Sequence, residues 1–421
     1  MGTMIELRIG GVPIACAKNG VGEDFGPIFQ EDDITHLPDP QEEGESDSSP
    51  FDAVGDLAFS APLAKVLDRL DLMGVTPDSV RAEYERATSS EADEWSAGDE
   101  NPLKPISFGR FESIIQAVPV ETLSILVDFD RDKSAWANSF AGSMIREYTP
   151  RGEATPWHMS YDMQVYSEAT LFADFISILQ PLSILRALAK NEANLGQLVT
   201  WRFGPMVRSG WCERSDFVPG ARPESQVLIV TEGSSDAAVL KGTIQRLRPS
   251  TVDFFRFLDI EEKWPFGGSG KLADFMRGLV MIGSLNKVLA VFDNDIAGIR
   301  GLSQATKVAL PKNLAAMSLP ELPEFCDFMT SGPTGEAKAN INKLAAGIEA
   351  YLDHTRPGLP QPPKVRWTSH EPKVGYCGEM EEKSAYTKDF ETWIKAGGSY
   401  NTRRLLVVID EMYARCIAMA S

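Results

Sequence analysis

The chain has 421 residues, 43% hydrophobic and 24% charged, a composition that suits two or three folded domains. With 41 Lys and Arg against 60 Asp and Glu, the net charge of −19 argues against tight, sequence-independent nucleic-acid binding by the molecule as a whole. No apolar run approaches the ~20 residues of a membrane span, and Met1 to Gly20 lacks the apolar core and cleavage site of a signal peptide. The five scattered cysteines form no Cys-x-x-Cys and read as reduced thiols of a cytoplasmic protein, and none of the four histidines stands in a zinc spacing with them.

In chain order, Ile5-Glu-Leu-Arg-Ile9 alternates, Gly10-Gly11 marks a turn, and Val12 to Ala17 supplies a second strand, predicting a small β unit over residues 4–30. Residues 31–56 are acidic and rich in Ser, Gly and Pro, and read as a solvated loop. Ser60 is a candidate cap for a helix carrying Leu63, Val66, Leu67 and Leu70 on one stripe and ending at Gly74. Thr76-Pro77 starts another, with Val80 and Tyr84 inward. Residues 110–148 read as largely helical. A second helical block is predicted over 167–198, kinked or divided at Pro181. The mainly helical N-terminal domain is placed at 1–200.

From residue 225 the pattern changes. Val227-Leu-Ile-Val-Thr231 and Lys287-Val-Leu-Ala-Val-Phe292 are short apolar runs, as in strands buried on both faces of a parallel sheet. The first ends in Glu232-Gly-Ser-Ser-Asp236 and the second in Asp293-Asn-Asp295. Side chains alternate along a strand, so Asp293 and Asp295 point one way and Asn294 the other. Sites in open α/β sheets form beyond the carboxyl ends of strands. If the two strands are neighbours, Glu232, Asp293 and Asp295 converge there. Clustered carboxylates need a neutralising cation, and hard oxygen ligands suit Mg²⁺ or Mn²⁺. A single acid after a strand has a plainer use as a helix cap, but two such strand ends in succession are harder to explain by capping alone.

Between them, Asp236 begins a helix to about Leu247 and Thr251–Phe257 reads as a second strand. Gly267-Gly-Ser-Gly-Lys271 falls short of a phosphate-binding P-loop because Pro265 and Leu272 break the pattern. It reads as a tight loop before a helix at Leu272–Ile282. A helix follows at Ala297–Leu310, where Gly298 and Gly301 permit close approach to the sheet. Asn313–Leu319 reads as a strand and Glu336–Leu352 as a helix on which Glu349 either faces solvent, the preferred reading, or reaches the metal. Residues 355–375 are Pro-rich and loop-like, and Asn401–Ala420 is a final helix. These give an α/β module at 225–355 and a C-terminal extension at 356–421.

The Glu232 and Asp293-x-Asp295 pattern resembles the TOPRIM domain shared by topoisomerases, primases and OLD-type nucleases. The resemblance covers roughly residues 225–330 and implies a Rossmann-like, mainly parallel sheet. Asp236 sits where OLD-like members carry a second acid. Ala297 stands where topoisomerases have a third Asp, which favours the nuclease branch. Ile5-Glu-Leu-Arg-Ile-Gly-Gly-Val12, Phe25-Gly26, Phe29-Gln30 and the helix end at Leu70 to Gly74 resemble the domain found ahead of HEPN or TOPRIM modules in bacterial conflict proteins. Arg151 and His158 lie among Pro150, Gly152 and Pro156, poor surroundings for the helix-borne Arg and His of HEPN ribonucleases.

The resemblance implies a metal-dependent nuclease of prokaryotic anti-phage defence. Glu232, Asp236, Asp293 and Asp295 would be both catalytic residues and ligands of one or two Mg²⁺ or Mn²⁺ ions, with Lys271 or Lys383 opposing transition-state charge. The expected partner is nucleic acid, DNA in preference to RNA, with a protein partner or a second copy of the chain besides and no membrane. The alternatives are a topoisomerase- or primase-like DNA transaction, or a non-catalytic metal-binding subunit of a defence complex.

Overall fold

Alternation in the opening residues has its expected result. Met4–Ile9 (β1) and Val12–Lys18 (β2) form an antiparallel hairpin, turned at Gly10 with φ +53°. The computed structural model describes residues 4–37, 56–95, 104–125, 139, 143, 153–154, 167–258, 267–333, 335–372 and 374–420. It divides into two units, Met1–Ala221 and Arg222–Ala420.

The β part of the first unit is larger than the sequence suggested. Ile34–Leu37 (β3), Asp56–Pro62 (β4) and Leu198–Arg202 (β5) join the hairpin in a five-stranded antiparallel sheet of order β2-β1-β5-β4-β3. Part of the acidic stretch is therefore ordered: the Asp33 carboxylate accepts from the backbone N–H of Gln30 at 2.8 Å and from Lys65 at 2.6 Å. Residues 38–55 lie outside the described residues. Ser60 is not a cap. Pairing with β5 keeps the chain extended to Pro62, Ser60 bonds Thr200 across the strands at 2.9 Å, and the helix Leu63–Leu72 (α1) starts without a side-chain cap.

Pro77–Trp95 (α2) begins where predicted, with Val80 and Tyr84 buried. Phe108–Ala117 (α3) is the described part of the long helical stretch expected next, followed by a single turn at Val120–Thr122. Most of the remainder, with Arg151 and His158, lies outside the described residues. Pro181 divides the next block, since it lacks the N–H a helix interior needs. Glu168–Ile176 (α4) is capped by Ser167, Pro181–Leu188 (α5) starts at the proline, and the two helices differ in direction by 109°. A short helix, Gly204–Arg208 (α6), follows β5. Phe25, Phe29, Phe59, Trp201, Phe203 and Phe217 form the aromatic centre of one core; Phe203 stacks on Phe217 with centroids 4.3 Å apart. Among the described residues, no single helix is long and apolar enough to cross a membrane.

The second unit is mixed α/β and holds a wholly parallel four-stranded sheet. Val227–Thr231 (β6), Phe255–Phe257 (β7), Lys287–Phe292 (β8) and Leu314–Ser318 (β10) lie in the order β10-β8-β6-β7. Two helix pairs flank it: Ser234–Leu247 (α7) with Arg403–Ala420 (α11), and Ser269–Met281 (α8) with Ile296–Ala305 (α9). Val288 to Phe292 are all buried, as the near-continuous apolar run of β8 requires. The second predicted strand is shorter than expected because Pro249–Phe254 coils into a 3-10 helix first.

The largest departures follow residue 320. Glu336–Leu352 is not a helix. Gly335–Ala339 is a strand (β12) paired with Phe328–Gly332 (β11), Ala345–Ala346 (β13) pairs with Asn294–Asp295 (β9), and only Ile348–Tyr351 coils, as a 3-10 turn. Helical spacing of Ile341, Leu344 and Ile348 misled because asparagine side chains, described below, hold this backbone instead. The Pro-rich stretch also contains a strand. Val365–Glu371 (β14) and Gly375–Met380 (β15) complete a second sheet of order β12-β11-β14-β15, which joins segments on both sides of residue 355. Lys383–Ala396 (α10) follows.

Candidate active site

The parallel sheet reverses direction of growth at its first strand: the chain moves from β6 to β7 on one side, then to β8 and β10 on the other. Diverging connections at such a point leave a crevice beyond the carboxyl ends of the two central strands. Here those strands are β6 and β8, paired from Val227↔Lys287 to Thr231↔Val291. Glu232 and Asp293 are the next residue of each.

The acids meet there. The Glu232 carboxylate accepts the Asp293 backbone N–H at 3.0 Å, and the Ser269 N–H at the start of α8 as well. Asp236, in the first turn of α7, accepts the N–H of Gly233 at 3.0 Å, and the Ser235 hydroxyl lies 3.3 Å from its other oxygen. Asp295 caps α9 by accepting the Gly298 N–H at 2.7 Å. Capping and convergence therefore coexist: the Glu232, Asp236 and Asp295 carboxylates are each aimed by a backbone donor, and all lie near Asp293.

A fifth acid belongs to the group. Glu349, expected on a solvent-facing helix, is buried. A Cβ placed on Gly347 would lie 3.1 Å from Glu349 Oε2 and 3.7 Å from both Asp293 carboxylate oxygens, so the Glu349 and Asp293 carboxylates flank the same glycine. The residue that brings Glu349 there is Asn294, between the two aspartates. Its fully buried amide donates toward Tyr351 Oη at 3.2 Å, Asn342 Oδ1 at 3.3 Å and Pro320 O at 3.4 Å, while its carbonyl accepts the Lys343 N–H at 2.8 Å. Arg404 and His354 hold the far side: Arg404 donates to Ala350 O at 2.9 Å and to His354 Nδ1 at 3.1 Å, and His354 Nε2 bonds Glu349 O at 2.9 Å. A carboxylate brought in by this non-local network carries no motif; the sequence offered Glu349 only as the less favoured reading of a helix that does not form, and Asn294 as a polar residue directed away from its acidic neighbours.

The electrostatics follow from crowding like charges beneath the surface. Asp293 is raised well above the carboxylate range, first by burial and then by the charges of Asp236, Glu232, Asp295 and Glu349. Burial, with Asp295 and Asp236 adding to it, pushes Glu232 up to about 7 against the pull of its two backbone donors. Burial and the Glu349 charge push Asp236 up to about 6, opposed by its donors and by Lys383. Glu232, Asp236 and Asp293 are half-buried as whole residues, and protein surrounds most of each carboxylate. Of the two predicted cations, Lys383 thus stands near the acids, whereas Lys271 Nζ rests beside Gly267.

Two glycines make the closeness possible. A Cβ on Gly298 would fall 2.2 Å from Asp293 O and 2.8 Å from Glu232 Oε1; one on Gly301 would fall 2.7 Å from Ser269 Cβ. The tight glycine turn at 267–270 presents the Ser269 N–H to a protein carboxylate.

Five hard oxygen donors that repel one another suit Mg²⁺ or Mn²⁺ in their chemistry. As placed, the Glu232, Asp236 and Asp295 carboxylates turn to backbone donors, and no three His, Cys, Asp or Glu among the described residues form a ready metal-ion cage.

No curated protein and no solved structure matches this chain. The model of the HEPN/Toprim N-terminal domain 1 family matches residues 1–225, just over half of the chain. The chain therefore belongs to the HEPN/Toprim N-terminal domain 1 family.

Proposed function

We propose that the second unit is a TOPRIM-type module and that the protein is a nuclease hydrolysing phosphodiester bonds with divalent cations, serving anti-phage defence, with DNA preferred over RNA. The observation that carries this reading is the meeting of Glu232, Asp236, Asp293, Asp295 and Glu349 at the point where the parallel sheet reverses. A HEPN/Toprim-associated first unit agrees with it.

In this reading Asp293 and Asp295, with Glu349, hold one Mg²⁺ or Mn²⁺, and Glu232 with Asp236 hold or share a second. When bound, the ions supply charge neutralisation and Lewis acidity at the phosphoryl group. Where Glu232 does not ligate an ion, its carboxylate would instead position the attacking water. Lys383 opposes charge on the Asp236 side. The N–H groups of Ser269, Asp293, Gly233 and Gly298 keep the carboxylates aimed as protons move.

A tyrosine nucleophile, as a strand-passing topoisomerase needs, finds less support. The Tyr386 hydroxyl donates to Pro360 O at 3.0 Å and the Tyr400 hydroxyl accepts the Asp353 N–H at 3.0 Å, so both have structural tasks.

Plasmid, linear DNA and RNA incubated with Mg²⁺ or Mn²⁺ test the proposal. Wild type should cleave only with the cation, and Asp293→Asn should lose cleavage and calorimetric Mn²⁺ binding together. Cation-independent cleavage, or an unimpaired variant, would sink it.

A further inference from the structure

The second sheet carries a feature the acid site does not use. Trp367 on β14 stands opposite Gly378 of β15, and on its other side the Thr330↔Val365 and Ser331↔Arg366 register brings it beside Gly332 of β11. A Cβ on Gly378 would fall 2.8 Å from Trp367 Cε3, and one on Gly332 would fall 3.2 Å from Cδ1. Glycine on both neighbouring strands is what seats the indole across the sheet. Tyr376 lies beside it, ring centroids 5.8 Å apart, with His370 4.7 Å beyond. Tyr376 is 47% exposed, and Trp367 is half-buried.

Trp367 and Tyr376 form one wall of a cleft of about 370 Å³, and Gly335, Ala337 and Ala339 help form its lining. That volume is within the range of small-ligand clefts. Among the described residues, neither the indole N–H nor the Tyr376 hydroxyl has a hydrogen-bond partner. The cleft runs to Leu344, whose backbone bridges to Asp295 of the acid site. Charge on this sheet is locally balanced: Lys338 pairs with Asp327, Lys364 with Glu336 and Arg366 with Glu379. The surface therefore spares an incoming polyanion much of the repulsion expected from a chain of net charge −19.

We propose that this cleft binds an unpaired nucleobase, stacked on Trp367 and Tyr376, from the strand whose phosphate enters the acid site. A flat π face, free polar groups for a base edge and a lining of small residues are what an unpaired base requires, and base–aromatic stacking tolerates any sequence. The choice of occupant rests on the phosphodiester reading above. It makes single-stranded or locally opened nucleic acid the substrate class.

Fluorescence anisotropy of a labelled oligothymidylate with the full chain in Ca²⁺ tests this. Trp367→Leu and Tyr376→Leu should each weaken binding about tenfold, while Trp367→Phe, which keeps a stacking face, stays within about threefold of wild type. An abasic strand with the same phosphates should bind wild type as weakly as the intact strand binds the leucine variants. Blunt duplex, whose bases are already stacked, should be nearly indifferent to the substitutions. Unchanged affinity in both leucine variants, equal binding of the abasic strand, an equal loss on duplex, or full competition by thymidine monophosphate at oligonucleotide concentrations would each overturn the proposal. The two readings fail separately. Base-dependent binding without cation-dependent cleavage leaves the cleft and removes the nuclease; cleavage lost in Asp293→Asn, with leucine variants binding as wild type, does the reverse.

Discussion

Glu232→Gln should stabilise the metal-free protein at alkaline pH. The Glu232 carboxyl rises from 4.5 to about 7 because it is buried, with Asp295 and Asp236 adding their charge. An acid whose folded pKa exceeds its unfolded value binds more protons folded than unfolded between the two, so the stability it contributes falls as pH rises through that window. The loss starts near pH 4.5 and is complete above about 7. At about 1.4 kcal/mol for each pH unit between the two values, it reaches roughly 3 kcal/mol. Glutamine removes the charge yet keeps a carbonyl oxygen to accept the Asp293 N–H. In EDTA at pH 8 the variant should therefore exceed wild type by roughly 2–3 kcal/mol, and near pH 4 the two should agree. Urea midpoints read by hydrogen exchange of peptides within 227–258 and 287–305 measure this unit alone. Adding Mn²⁺ should stabilise wild type more than the variant, since the ion replaces the missing countercharge. A variant no more stable than wild type at pH 8, or equally favoured at both pH values, would refute the argument that this carboxylate is held against its own charge.

Asn294→Ala should cost roughly 2–3 kcal/mol by stranding the groups it bonds, and hydrogen exchange should accelerate over 340–352 as the Glu349 segment loosens. Gly298→Ala places a Cβ 2.2 Å from Asp293 O, so calorimetry should find Mn²⁺ affinity lower by at least tenfold, with about 1–3 kcal/mol of stability lost. His354 is held down to about 4, chiefly by burial and also by the Arg404 charge, although its bond to Glu349 O opposes them. Its folded pKa lies below the unfolded value of about 6.5, so its contribution is complete above 6.5 and disappears as pH falls toward 4. Acid titration of His354→Phe should therefore show less loss of stability through that window than wild type, by up to about 3 kcal/mol.

Local chemistry reached far into this protein. Two apolar runs ending in acids placed Glu232 and Asp293 on adjacent strands, because strands of that composition are buried on both faces and open their site at the carboxyl end. Gly298 and Gly301 announced the close approach of α9, and Pro181 the break between α4 and α5. What sequence left unread depends on partners distant in the chain. Asp56–Pro62 is a strand because residues near 200 and 35 lie on either side of it, and no local period reports that. Glu349 follows a segment with helical spacing, yet Asn294, 48 residues before Asn342, holds that segment in a different shape. Trp367 passed as part of a loop until glycines from two other strands seated its ring. Periodicity and chain punctuation belong to neighbouring residues and can be read along the sequence. Strand pairing, buried amide networks and the gathering of like charges belong to residues that become neighbours only on folding.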